Sequence, residues 1–95
     1  MPEYIATKVR TGKSGAGRGF VVEVRRSDRP NGVTAARLGG NRAERANWVL
    51  VTNWWPGRTH ERLEFNLRKD WVSAQSEAAQ RVSKGHPTDI VKIDE

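Results

Sequence analysis

The sequence predicts an α+β fold: a mainly antiparallel sheet of five or six strands, with one helix over about residues 70–84 packed on a face. Three observations point there. Residues 47–67, NWVLVTNWWPGRTHERLEFNL, form two strand-like runs separated by Pro56-Gly57 and hold three of the four tryptophans. Shorter runs with period-two alternation or β-branched enrichment recur before and after it. Only one stretch, following Lys69, shows apolar residues at helical spacing with a start and a stop signal.

Residues 4–10 read as a first strand, with Ile5 and Val9 on one face and Tyr4 and Ala6 on the other. Residues 11–19, TGKSGAGRG, carry four glycines in nine positions and read as a mobile connector. Residues 20–26 alternate again: Phe20, Val22 and Val24 face one way, Val21, Glu23 and Arg25 the other. Ser27 to Gly32 has turn chemistry throughout. Residues 33–38 read as a strand that pairs with the previous one, with the opening of a helical turn as the alternative for so short a run, stopped by Gly39-Gly40. Residues 41–46, NRAERA, are a polar connector or a single helical turn.

The central run places Trp48, Leu50, Thr52 and Trp54 on one face and Val49, Val51, Asn53 and Trp55 on the other. Both faces are largely apolar, as expected of a strand covered on two sides. Residues 61–68 alternate with Leu63, Phe65 and Leu67 together. Pairing Trp55 with Arg58 across a two-residue loop sets Leu50 opposite Leu63, Trp48 opposite Phe65 and Ala46 opposite Leu67. A slip by one residue sets that face against Asn53, Val51 and Val49, a less apolar match. Pro-Gly favours a type II turn, whereas tight hairpins use the mirror-image types, so a longer loop with a bulge is the other option. In the first register Trp48 is a core anchor, and Trp48→Ala is expected to unfold the chain.

Asp70 suits the N-cap of the helix. Trp71, Ala74, Ala78 and Val82 follow helical spacing, and Ser73, Gln75, Glu77 and Gln80 fall on the solvent side. Gly85 suits the left-handed residue after the helix, and Pro87 blocks its extension. Residues 89–94, DIVKID, read as a short last strand.

Ninety-five residues suit one small domain, and with no cysteine neither a disulfide nor cysteine-bound zinc is available. No window approaches a membrane span and the first ten residues lack the apolar run of a signal peptide, so the expectation is a soluble, cytoplasmic chain without a membrane partner. The net charge of +6 is uneven: residues 1–45 carry ten Lys/Arg against four Asp/Glu, whereas residues 46–95 carry seven of each. Twelve of the seventeen basic residues are arginine, whose planar fork suits phosphates and carboxylates.

Apparent catalytic motifs fail on inspection. Gly12-Lys13-Ser14 ends like a phosphate-binding loop, but Thr7 stands where the first glycine belongs and a strand follows instead of a helix. Gly15, Gly17 and Gly19 match a dinucleotide fingerprint only up to Phe20. His60-Glu61 begins a zinc-protease pattern, but Glu64 replaces the second histidine. No nucleophile has an evident base, so the expectation is no enzyme, no metal and no cofactor.

The basic set is Lys13, Arg18, Arg25, Arg26, Arg29, Arg37, Arg42 and Arg45. A surface of this kind contacts nucleic-acid phosphates, with Trp54 or Trp55 as a stacking anchor on a base. Neighbours in a strand point opposite ways, so one of the two tryptophans is expected to be the more exposed. The alternative is a protein-interaction module that meets an acidic protein surface, with Trp54 or Trp55 filling a pocket. That would be an inhibitor, adaptor or self-assembling accessory protein of the kind phages and mobile elements carry.

Overall fold

The computed structural model describes residues 4–11, 19–27 and 34–94. Its elements are β1 (Tyr4–Arg10), β2 (Phe20–Arg26), β3 (Thr34–Leu38), α1 (Asn41–Arg45), β4 (Trp48–Asn53), β5 (Leu63–Arg68), α2 (Trp71–Ser83) and β6 (Thr88–Asp94). The six strands lie in the order β3-β2-β1-β6-β4-β5. The β1–β6 pairing is parallel and the other four are antiparallel, so the fold is α+β. The glycine-rich connector and most of the turn between β2 and β3 lie outside the described residues.

The last strand holds the sheet together. β5 and β6 flank β4 and both run antiparallel to it, so they are parallel to each other. A parallel connection must cross one face of the intervening strand, and α2 is that crossing. β6 then pairs with β1 on its other side and joins the two halves of the chain. The end strands β3 and β5 come into contact, so the sheet curls nearly into a barrel.

Alternation fixes what lies inside. Ala6, Val22, Val24, Val49, Val51 and Ile93 are buried within the curl, and Ala43 and Ala46 beside them place α1 on that inner side. The opposite face of β4 lies under α2: Leu50 is 0% exposed against Ala74 and Ala78, with Trp48 and Ile90 alongside. β4 is therefore covered on both faces, as its composition predicted. Alanines at the two contact positions let α2 lie close on the sheet.

The hairpin register differs from the sequence expectation. Asn53 faces Leu63, Val51 faces Phe65, Val49 faces Leu67 and Trp48 faces Arg68. This is the arrangement that looked less apolar on paper. With β4 buried on both sides, Phe65 and Leu67 pack with the valines inside the curl, Leu63 shares their face of the strand, and Arg68 and Glu64 belong with α2. The connection is also longer than a tight turn: Trp54 N–H donates to the Arg62 carbonyl (2.8 Å), closing a loop around Pro56 and Gly57.

The helix begins and ends on the expected signals. The Asp70 carboxylate accepts from Ser73 N–H (3.1 Å), and Gly85 takes φ 91° just past the end. Glu77 corrects the predicted solvent face. It points at the sheet, where its carboxylate accepts from Arg68 Nε (2.8 Å), Arg68 Nη2 (2.7 Å) and Arg81 Nη2 (2.9 Å). Arg81 Nη1 in turn donates to the fully buried hydroxyl of Thr52 (2.7 Å). The network clasps α2 to β4 and β5. No helix among the described residues is long and apolar enough to cross a membrane.

Candidate functional site

The predicted basic residues that the structure describes fall at different places: Arg25 and Arg37 on β2 and β3, Arg42 and Arg45 on α1. Arg25 and Arg37 sit on the outward face of β2 and β3, and Arg37 lies directly across from Glu23. Glu23 also approaches Arg25 at 3.9 Å, so this face alternates in sign. Arg26 is half-buried, at the end of β2. Lys13, Arg18 and Arg29 lie outside the described residues.

Arg42 and Arg45 are placed differently. Gly40, at φ 92°, turns the chain from β3 into α1, and Ala43 N–H donates to the Gly40 carbonyl (3.1 Å). The buried Ala43 and Ala46 hold the short helix against the core, which leaves Arg42 and Arg45 outside. The Lys8 ammonium fastens the helix end by donating to the Glu44 carbonyl (2.7 Å). Between α1 and the end of β5 opens a cleft of about 680 Å³, lined by Arg42, Glu44, Arg45, Leu67, Arg68 and Lys69. Its β5 wall is fixed by Asn47, whose N–H donates to the Arg68 carbonyl (3.0 Å) and whose side-chain amide donates to the Lys69 carbonyl (2.9 Å).

Four cations thus meet one carboxylate around the cleft. Arg68 is taken up by Glu77 and by the Leu67 carbonyl, and its guanidinium is held more firmly protonated than usual by the hydrogen bond to Glu77. Arg42, Arg45 and Lys69 are exposed and have no carboxylate within ion-pair distance among the described residues. The charge segmentation of the sequence hid half of this group. Arg68 and Lys69 belong to the second half of the chain, which is neutral overall, and only the fold brings them to Arg42 and Arg45.

The two adjacent tryptophans lie in the bend just past β4 and differ in exposure, Trp54 being half-buried and Trp55 exposed. Trp54 packs on the α2 side, its ring 4.6 Å from His86 and 5.7 Å from the Arg81 guanidinium. Trp55 is 47% exposed, with the Arg62 guanidinium 5.8 Å from its ring. Arg58, His60 and Arg62 share its loop and were not among the predicted basic residues. Their signal in the sequence was the aromatic-basic interleaving WWPGRTHER. No family model, curated protein or solved structure matches the chain, so its function is read from these residues alone.

Proposed function

We propose that this chain is a non-enzymatic module that binds nucleic-acid phosphates in the cleft between α1 and the end of β5. One observation carries the reading: Arg42, Arg45 and Lys69 converge on one concavity whose one acid is Glu44, and none of the three has a carboxylate within ion-pair distance among the described residues. Guanidinium forks match phosphate oxygens in pairs, and the ammonium adds a point charge. An open cleft with exposed cations suits a polymer passing through better than a small buried anion. The net charge of +6 draws such a polymer in from solution. Glu44 narrows the approach by disfavouring anions on its side of α1.

Arg25 and Arg37 add to the overall field but sit outside the curl, so they contribute less at the cleft. The test is binding of a labelled oligonucleotide at low salt to the wild type, to Arg42→Glu/Arg45→Glu and to Arg25→Glu/Arg37→Glu. The first variant is expected to lose at least tenfold in affinity, and the second much less. Equal losses from the two variants, or none from the first, refute the assignment.

A further inference from the structure

Resting on the cleft reading above, we infer that the ligand is single-stranded nucleic acid. The strand runs along the β4–β5 hairpin from the α1 cleft to Trp55, whose exposed ring stacks on an unpaired base. The two sites lie at opposite ends of the same hairpin: Arg68 ends β5 and Lys69 follows it, and Arg62 precedes its other end.

Trp55 is presented rather than left over. Trp54, the residue before it, is pinned by the Arg62 carbonyl, the His86 ring and the Arg81 guanidinium. Trp55 N–H itself donates to Asn53 Oδ1 (3.0 Å). The backbone that carries the exposed ring is therefore fixed before any ligand arrives, which lowers the ordering cost of stacking. The ring also sits among cations. Arg62 lies beside it, and Arg58 is exposed in the same loop with no carboxylate partner among the described residues. Glu61 is the loop's one acid. An aromatic face flanked by positive charge is the pairing that single strands use, the ring for a base and the cations for its phosphates.

Spacing and stacking select the single strand. β5 spans six residues, so at about 3.4 Å per residue the two sites are about 20 Å apart. At roughly 3.4 Å per nucleotide in a stacked strand, that is about six nucleotides, within the range that single-strand sites cover. In a duplex the base faces are already stacked on each other and offer nothing to Trp55.

The test uses fluorescence anisotropy with labelled oligothymidine and oligouridine of about 12 nucleotides, long enough to cover both sites, and a duplex of equal length. The proteins are the wild type, Trp55→Ala, Trp55→Phe and Arg42→Glu/Arg45→Glu. The single strands are expected to bind at least tenfold more tightly than the duplex. Trp55→Ala is expected to weaken single-strand binding by about 5- to 150-fold, the range of one base–aromatic stack, and to leave duplex binding alone. Trp55→Phe should retain most of the affinity. Whether DNA or RNA binds more tightly identifies the sugar, and either supports the assignment. Equal affinity for duplex and single strand, or no effect of Trp55→Ala while Arg42→Glu/Arg45→Glu still weakens binding, overturns the inference and leaves the cleft reading intact. A protein ligand lost on Trp55→Ala, with nucleic-acid binding unmoved, assigns the ring to a protein and also overturns it. No binding to any oligonucleotide removes both.

Discussion

Replacing Glu77 with Gln removes the charge at the centre of the clasp between α2 and the sheet. Three donors converge on that carboxylate, at 2.7, 2.8 and 2.9 Å, and two of them form a bidentate pair from Arg68. Hydrogen bonds to charged groups contribute about 1.5–3 kcal/mol each, but exposed ion pairs contribute about 0–1 kcal/mol. The Glu77 side chain is 31% exposed and its partners Arg68 and Arg81 are 23% and 17% exposed, which places the pair between those limits. A total of about 1–3 kcal/mol follows for the substitution. For a chain of this length each kcal/mol moves Tm by roughly 4–8 °C, so a drop of about 4 °C or more is expected by circular dichroism at neutral pH. The pH dependence separates charge from packing. The hydrogen bond from Arg68 holds the Glu77 carboxyl below its ordinary range. A lowered folded-state value means the stabilisation is complete above the ordinary glutamate pKa of about 4.3, and it is lost as pH falls through the folded value. The gap between wild type and Glu77→Gln should therefore close on acidification. A gap that stays constant with pH, or no gap at neutral pH, refutes the clasp.

Three further outcomes are expected. Leu50→Ala, at a site with no exposure under α2, should cost about 2–5 kcal/mol; half-buried Trp48, whose ring meets that of Trp71 at a tilt with centroids 4.5 Å apart, should cost less when cut to Ala, and denaturant melts that reverse this order contradict the packing. Asp89 faces Val51 inside the curl, and burial raises its carboxyl above the usual range. Its ionisation therefore opposes folding increasingly as pH rises through its ordinary value, and Asp89→Asn should raise Tm at neutral pH but not under acid conditions; a lower neutral Tm contradicts this. Gly85→Ala should destabilise by about 1–2 kcal/mol, because a left-handed φ is strained for any L side chain even though a methyl group meets nothing within 4 Å; an unchanged melt counts against the cap geometry.

Local patterns made the elements legible. Period-two alternation placed β1 and β2, the Asp70 and Gly85 signals placed α2, and apolar residues on both faces of residues 48–53 announced a doubly covered strand. The pairing was not legible in the same way. Choosing the hairpin register by matching apolar faces treated Trp48 as core, whereas the fold sorts β4 into a valine face inside the curl and a Trp48–Leu50 face under α2. Two apolar faces leave the register undetermined until the covering layers are known. DIVKID reads as a short last strand, and nothing local in it tells that it joins β1 to β4. The candidate site was legible only in part for the same reason. Arg42 and Arg45 stood out in a basic segment, but Arg68 and Lys69 were masked by nearby acids in sequence. Glu77, which occupies Arg68, looked like a solvent residue by helical period because the partner that draws it to the sheet, Arg68, lies on a strand.

The cleft is tested most directly by the salt dependence of nucleic-acid binding in the wild type and in Arg42→Ala/Arg45→Ala/Lys69→Ala. Each phosphate contact adds about 0.7 to the slope of log affinity against log salt for a single strand and about 0.9 for a duplex. If these three side chains hold three phosphates, the substituted protein should show a slope shallower by about 2–3. A variant that binds more weakly with the wild-type slope, or binds as well as the wild type, would contradict phosphate contact at this cleft.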